Sequence, residues 1–385
     1  MIHESGRSPG GVHGNIDSVL ENADSETASE FLLRLGQNLV RAGDPDSAAE
    51  YWERLLSQYP ESNHAREGAV RLLRIYAGLE RIRRVAVGRV AVNRTWTPEQ
   101  KAETDESERP LPKIVDHAND AVRVGAIIRD YFPELYMSPE VRFPLAAAQC
   151  RGGELNNAMG YYYHRSLLSS KDFFIAKHAA AEYALINGKR EKNDIPLSIG
   201  SCYPAARIPF LDGILENDIW DEAETFQLTG NADFPKTFIS FLNGDEHLFI
   251  GIEAHQSDSN VPKATGERVR DIDLSDFDHV EIAIDPDRDF INSYYLEFDC
   301  RGCVCDACQD DKNWNPKIYI ARKVTDFGWI LEIAIPWREL CDASPPAGNV
   351  WGIALRRVIP GHGSSAWNEE GKINLKDGFG YLQFY

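Results

Sequence analysis

The chain has 385 residues, with 41 Lys and Arg against 60 Asp and Glu, and a formal net charge of -19. This charge argues against nucleic acid and anionic membrane surfaces as partners, because both are bound through an excess of Lys and Arg. No apolar run approaches the length that spans a bilayer, so we expect no membrane insertion. The length favours two or three domains, and a hydrophobic content of 43% is sufficient for folded cores.

The first segment, residues 1–26, is polar and contains no apolar core of signal-peptide type. We predict that this segment is disordered or extended. Taken by itself, such a start predicts a cytoplasmic protein made without an export signal. The alternative is that the chain is part of a longer, exported polypeptide.

Residues 27–203 predict a region of α-helices, because small and large apolar residues recur there with helical spacing. The sequence AGDPDSAAEYW predicts a turn and then a helix with Asp46 as its N-cap. A weaker copy of the spacing occurs at Gly153, Ala158 and Tyr162. The pattern resembles one tetratricopeptide repeat, which implies a tetratricopeptide-like region that binds a protein partner. The residues that carry this resemblance are Leu32, Leu35, Gly36, Leu39, Gly43, Ala48, Trp52, Leu55 and Pro60.

The polar segment Asn93–Lys113 is a predicted linker within the helical region. After that region, residues 204–385 predict an antiparallel β-sandwich. Short β-branched and aromatic runs alternate with polar residues, and the Asn-Gly pair of LNGDEH is typical of a hairpin. The sequence thus predicts a multidomain α and β protein, with an α-helical repeat region followed by an antiparallel β-sandwich. The predicted strands are KTFISFL, HLFIGIEA, HVEIAID, YYLEFD, KIYIA, WILEIAIP, WGIALRRV and FGYLQFY.

Six motifs in this half follow one another in a specific order. They are LDGILENDIWDEA, FDHVEIAIDPDRD, GWILEIAIPWREL, WGIALRR, SSAWNEE and FGYLQF. This succession, from about Pro209 to Tyr385, resembles the family 9 carbohydrate-binding modules within the wider DOMON-like sandwiches. The resemblance implies a β-sandwich that binds sugars and is often attached to secreted glycoside hydrolases, which would place the chain outside the cytoplasm.

The resemblance also implies which residues contact a sugar. In the sugar-binding members two tryptophans sandwich a sugar ring, and the matching positions here lie near Ser275 and Ile373, neither of which is aromatic. The acidic residue of the VEI strand is kept as Glu281, and a polar strand residue falls at Arg356. We therefore expect this charged pair to hydrogen-bond sugar hydroxyls.

Two other tryptophans are candidates for a sugar-stacking platform. Trp314 and Trp367 follow polar loop sequence, so either ring is expected to be exposed. The alternative is that both rings fill the core, as we expect for Trp220, Trp329 and Trp351 within or beside alternating strands.

A cluster of four cysteines lies within nine residues, at Cys300, Cys303, Cys305 and Cys308. Four thiolates at this spacing are a candidate zinc site, because structural zinc prefers four such ligands in a tetrahedron. In an oxidising compartment, disulfides would instead close the loop, and free thiols are the third alternative. Because the whole chain has seven cysteines, complete pairing within one chain is impossible.

Two acidic runs, DIDLSDFD and DPDRD, are candidate calcium sites or solvated loops. Calcium prefers oxygen ligands such as clustered carboxylates, although neither run fits the EF-hand loop. The carboxylates in question are Asp271, Asp273, Asp276, Asp278, Asp285, Asp287 and Asp289.

No metalloprotease H-E-x-x-H motif and no phosphate-binding glycine loop occur, so we predict that the chain is not an enzyme. The predicted function is that of a non-catalytic carbohydrate-binding protein with a helical protein-interaction region. One alternative is an interaction scaffold whose sandwich has lost sugar binding. Another is an accessory part of a larger glycoside hydrolase.

Overall fold

The computed structural model describes most of both halves of the chain. The predicted linker Asn93–Lys113 and the positions Ala158, Tyr162 and Ile373 lie outside the described residues. The described ranges are 16–17, 20–42, 44–80, 117–153, 173–189, 193–215, 219–256, 266–308, 314–368 and 378–385, together with the single residues 168, 191 and 312.

The described part of the N-terminal half consists of α-helices. None of the described helices is long and apolar enough to cross a membrane. The helices are α1 (Ser25–Arg41), α2 (Pro45–Gln58), α3 (Asn63–Ala77), α4 (Ala118–Tyr131), α5 (Pro133–Tyr136), α6 (Pro139–Arg151) and α7 (Phe173–Ile186).

Helices α1 to α3 begin at side-chain caps. Asp24, Asp44 and Ser62 each accept a hydrogen bond from the backbone N–H three residues later. The prediction that Asp46 caps α2 is wrong. Pro45 occupies the start of the helix, so the preceding Asp44 is the cap and Asp46 lies within the first turn.

Helix α2 approaches both α1 and α3 closely where a small residue faces a large one. A side chain added at Gly36 would overlap the ring of Trp52, and one added at Gly68 would lie 2.8 Å from Leu55 Cδ2. Trp52 is 2% exposed, and its indole N–H donates to the Leu33 carbonyl at 3.2 Å. This packing is the physical reason for the small-and-large spacing in the sequence, and it confirms the predicted helical-repeat region.

The C-terminal half is a β-sandwich, as predicted. A 3-10 helix (Trp220–Glu222) and a short helix, α8 (Trp337–Leu340), accompany the strands. The strands are β1 (Ile199–Pro204), β2 (Thr225–Gln227), β3 (Thr237–Asn243), β4 (His247–His255), β5 (His279–Asp285), β6 (Tyr294–Asp299), β7 (Val304–Cys308), β8 (Tyr319–Val324), β9 (Gly328–Pro336), β10 (Val350–Ile359), β11 (Gly363–Ala366) and β12 (Gly380–Phe384).

The strands form two layers that β1 connects. One layer has the order β7-β6-β5-β10-β12, with β11 on β10, and the other has the order β3-β4-β9-β8, with β2 on β3. Ile199–Cys202 pairs with β12 and Tyr203–Pro204 pairs with β3, both in parallel. The predicted antiparallel pairing therefore needs one correction: β1 enters after a helix rather than through a hairpin, and the sheet is mixed.

The strand β1 also lies across the predicted domain boundary. It begins at Ile199, before the expected start of the sandwich at residue 204. The preceding helix α7 packs on the same sheet, with Ala181 and Leu185 in one cluster with Ile199, Val350 and Tyr381. The end of the predicted helical region is thus packed as part of the sandwich.

The core between the two layers is rich in aromatic residues. Trp329 and Trp351 are 5% and 2% exposed within it, and Trp220 is 6% exposed in an adjoining cluster. The expectation that these three rings are core residues is confirmed.

Candidate functional site

One face of the sheet carries five polar side chains that we call the polar patch: His279, Glu281, Tyr295, Glu297 and Arg356. In the strand register Arg356 on β10 lies opposite Glu281 on β5, and Glu281 lies opposite Glu297 on β6. Side chains alternate between the two faces of a strand, so these residues point away from the core that their neighbours fill. The patch thus brings together residues from three adjacent strands.

The centre of the patch is a two-pronged ion pair between Arg356 and Glu281. The Arg356 Nη2 donates to Glu281 Oε1 at 2.6 Å, while its Nε donates to the other carboxylate oxygen. The side chains are 12% and 5% exposed. His279 Nε2 lies 3.4 Å from Glu281 Oε1, and its Nδ1 donates to the Phe277 carbonyl at 2.8 Å. The pair is therefore fixed in place.

Burial and charge shift the pKa values of the patch in different directions. Burial alone would raise the pKa of Glu281, but hydrogen bonds from His279 and Arg356 outweigh it and lower that pKa. Burial alone would lower the pKa of His279, but Glu281, the Phe277 carbonyl and Glu297 outweigh it and raise that pKa. For Glu297 burial prevails and raises the pKa. Glu281 and Arg356 are thus both ionised, and their opposite charges cancel.

The patch borders an apolar strip on the same face. Ala283, Ala354 and Phe379 are buried together there, and Tyr295 packs against them. Tyr295 and Glu297 are partly exposed, so the patch is open to solvent on that side. A polar group that both donates and accepts hydrogen bonds beside the partly exposed Tyr295 ring suits a ligand with hydroxyls and C–H surfaces.

Metal binding is a second chemical use of the polar patch to consider. One ligand atom from each of His279, Glu281 and Glu297 lies within 4.8 Å of the others. However, the guanidinium of Arg356 occupies both oxygens of Glu281. Its positive charge opposes a cation at this position, so the patch is better suited to hydrogen bonding than to metal binding.

Sequence reasoning found Glu281 and Arg356 but missed His279, Tyr295 and Glu297. The signal was available in the strand period, because His279 lies two residues before Glu281 in HVEIAID and shares its face. Tyr295 and Glu297 are also two residues apart in YYLEFD. The pairing of these two strands was not readable from the sequence, so their common face was not recognised.

The two tryptophan candidates lie elsewhere. Trp314 is 2% exposed and stacks on Tyr294, with ring centroids 4.6 Å apart. The expectation of an exposed Trp314 ring is wrong, because the ring belongs to the core cluster between the two layers. Trp367 is partly buried and packs edge-to-face on the core residue Phe226 at 4.8 Å. Its ring therefore lies against core residues, whereas Arg356 points to the opposite face.

The two positions that match the tryptophan clamp of the sugar-binding modules are Ser275 and Ile373. Ser275 is exposed and lies in a turn, and Ile373 is outside the described residues.

The four clustered cysteines are not brought together. Cys305 lies opposite Glu297 and Cys308 lies opposite Tyr294, so the two point to different faces of β7. Cys303 is buried, and its sulfur accepts from the Val269 N–H at 3.3 Å. None of the seven cysteines forms a disulfide, and burial raises the pKa values of Cys300 and Cys305 to about 11. In this structure they form neither the four-thiolate site nor disulfides, because residues an odd number of positions apart on a β-strand, such as Cys305 and Cys308, point to opposite faces.

The acidic runs differ from each other in burial. In DIDLSDFD, Asp273 and Asp276 are exposed, and Asp278 pairs with Arg357. In DPDRD, Asp285 and Asp289 are fully buried. The first run is thus a solvated loop with one structural ion pair, whereas the second forms a buried group of carboxylates.

Comparison with known proteins gives separate results for the two halves. A tetratricopeptide repeat family model matches residues 30–62, and no curated protein sequence matches the chain. A family 9 carbohydrate-binding module from Caldicellulosiruptor kristjanssonii in complex with cellotriose is 17% identical, with a TM-score of 0.36, over 48% of this chain and 93% of that one. The same type of module in complex with glucose is 15% identical, with a TM-score of 0.35, over 48% and 95%.

A third solved structure, a protein described as carbohydrate-binding from Bacteroides uniformis, is 13% identical, with a TM-score of 0.37, over 49% of this chain and 99% of that one. The helical region thus contains a segment similar to a tetratricopeptide repeat. The C-terminal half is similar to family 9 carbohydrate-binding modules.

Proposed function

We propose that the sandwich binds a carbohydrate through the polar patch, and that the helical region binds a protein partner. The observation that carries the first proposal is the buried, two-pronged Glu281–Arg356 pair on the outer sheet face. The tetratricopeptide match at residues 30–62 supports the second. We expect no catalytic activity from the chain.

The patch supplies both hydrogen-bonding roles that sugar hydroxyls need. Arg356 donates, while Glu281 and Glu297 accept. The partly exposed ring of Tyr295 provides an apolar surface for the C–H groups of a sugar. Because the charged pair is already held in place, its ordering costs little binding free energy.

The tryptophan clamp of the sugar-binding modules is not reproduced at Ser275. We therefore assign the stacking contact to Tyr295, the partly exposed aromatic ring of the patch. Trp367 is partly exposed but lies on the other side of the sheet, so it remains a candidate for a sugar contact separate from the patch. Trp314 is buried, so we expect it to affect binding only through the fold.

The test is calorimetry of the intact chain with cellotriose and glucose, the ligands of the two similar modules, together with a glycan array. Glu297→Gln should weaken sugar affinity about tenfold or more, because a hydrogen bond to a charged group contributes about 1.5–3 kcal/mol. Glu222→Gln is the matched control, since it neutralises an exposed glutamate away from the patch and should leave affinity unchanged. Trp367→Ala measures the contribution of the remaining tryptophan.

Other outcomes separate the alternatives. If the intact chain binds no sugar on the array or in calorimetry, the interaction-scaffold alternative replaces sugar binding. If Glu297→Gln and Glu222→Gln have equal affinities, the sugar site lies outside the polar patch. Release of reducing sugar from polysaccharides by the purified chain would contradict the expected lack of hydrolase activity.

A further inference from the structure

A second group of titratable side chains lies buried where the helical region meets the sandwich. Glu80 follows helix α3, Asp285 ends strand β5, and Asp287 and Asp289 follow in the next loop. Glu80, Asp285 and Asp289 are 0% exposed, and Asp287 is 9% exposed. One carboxylate oxygen from each of Glu80, Asp285 and Asp287 lies within 4.8 Å of the other two.

Backbone hydrogen bonds fix two of these carboxylates. The two oxygens of Asp285 accept from the N–H groups of Arg288 at 2.6 Å and Phe290 at 2.8 Å. Asp289 accepts from the Asn292 N–H at 2.7 Å. These bonds hold the carboxylates in position but bring no positive charge to them.

The other two carboxylates have unsatisfied oxygens. Asp287 Oδ2 accepts from the Leu79 N–H at 3.2 Å and pairs with Arg151, whereas its Oδ1 has no hydrogen-bond partner. Both oxygens of Glu80 are also without a partner among the described residues. Buried carboxylates of this kind are costly unless something neutralises them. Arg151 is the one cation that pairs with the group in the described part of the chain.

The guanidinium of Arg288, which lies in the same loop, is engaged elsewhere. Arg288 donates through Nε to Glu182 at 3.0 Å and through Nη1 to the Val350 carbonyl at 2.5 Å. Burial, together with the neighbouring carboxylates, raises the pKa values of Glu80 and Asp285 well above their usual range. It also raises the pKa of Asp289 to about 7. Among the described residues the group therefore has less positive than negative charge.

We propose that Glu80, Asp285 and Asp287 bind one hard divalent cation, of the calcium class. The ligand atoms are all carboxylate oxygens, which calcium prefers, and no thiol or imidazole is among them. Two calcium–oxygen bonds of about 2.4 Å span about 4.8 Å, so the observed separations fit one ion between the three groups. The unpartnered oxygens of Glu80 and Asp287 supply its free ligands.

This ion would connect the two halves of the chain, since Glu80 belongs to the helical region and Asp285 and Asp287 belong to the sandwich. The contact around it is close. A side chain added at Gly78 would lie 2.7 Å from Cγ of Asn292. Arg151 also donates to the Ala77 carbonyl at 2.6 Å, and so it holds the segment that carries Glu80 against the loop.

The test is thermal unfolding of the full chain in calcium chloride and in a chelator, with calcium content measured after dialysis. At a hundredfold excess over the dissociation constant, we expect calcium to raise Tm by about 5 °C or more. Glu80→Gln should abolish this rise. In the chelator the same variant should be at least as stable as the wild type, because it removes a buried charge. Asp276→Asn, an exposed carboxylate of the other acidic run, is the matched control and should keep the full rise.

Two results, one with the wild type and one with Glu80→Gln, would overturn the proposal. An unchanged wild-type Tm in calcium, with no ion retained after dialysis, would mean that protons neutralise the group and would overturn the proposal. A full calcium response in Glu80→Gln would place the ion elsewhere and would also overturn it. Should Glu80→Gln fail to fold, Asp287→Asn replaces it, with loss of the retained ion as the supporting result and retention as the contrary one.

Discussion

Replacing Arg356 with methionine should destabilise the sandwich, because the change leaves the buried Glu281 carboxylate without its charged partner. The methionine keeps the apolar stem of the side chain and removes only the guanidinium. Removing one partner of a buried ion pair costs about 3–5 kcal/mol of unfolding free energy. We expect about 3 kcal/mol, since Arg356 is 12% exposed and His279 remains beside Glu281.

A second substitution tests whether the stranded charge causes this loss. Glu281→Gln in the Arg356→Met background should restore the unfolding free energy to within about 1 kcal/mol of the wild type.

Lowering the pH should also remove the charge of Glu281 and so reduce the effect of Arg356→Met on stability. The folded-state pKa of Glu281 is lowered, so its stabilisation is present above the unfolded pKa of about 4.3 and is lost as pH falls through the folded pKa. The difference between wild type and Arg356→Met should therefore shrink below about pH 4.

The assay is urea unfolding followed by tryptophan fluorescence. Six of the eight tryptophans lie after residue 203, so the signal reports mainly on the sandwich. Arg322→Ala, which removes an exposed arginine on β8, is the control and should change stability by less than about 0.5 kcal/mol. A loss below about 1 kcal/mol for Arg356→Met, or a double variant as unstable as the single one, would refute this reasoning.

Two further predictions concern the packing of each half. Gly36→Ala should destabilise the helical region by about 1–3 kcal/mol, because the added methyl group overlaps the Trp52 ring. Thermal unfolding followed at 222 nm measures the loss, and an unchanged Tm relative to the exposed control Arg34→Ala would contradict it. A fragment beginning at Ala205 should aggregate, because it lacks β1 and leaves the edges of β12 and β3 unpaired. A fragment beginning at Phe173 keeps β1 and should elute as a monomer in size-exclusion chromatography, and a monomeric Ala205 fragment would show that β1 is dispensable.

The sequence by itself predicted the local structure of both halves. The spacing of Gly36 and Trp52 predicted close helix packing, because a large ring needs a small residue opposite it. The alternating runs predicted strands such as β5 and β10, because side chains on a strand point to alternate faces. The same reasoning missed β1, β2, β7 and β11. Strands β2 and β11 have only three and four residues, too few to show an alternating pattern. Strand β7 carries two of the clustered cysteines and only one β-branched residue, and β1 pairs with strands that are distant in sequence.

Only the tertiary structure decided which side chains meet. Strand pairing brings Arg356 to Glu281 across 75 positions of sequence, and domain packing brings Glu80 to Asp287. Both are non-local contacts, and local propensity carries no information about strand order or about the face that a helix covers. The cysteines show the converse, because they are close in sequence but the two faces of β7 separate Cys305 from Cys308. The register of the sheet and the junction with the helices, rather than proximity along the chain, determined the two groups of side chains that are close in space.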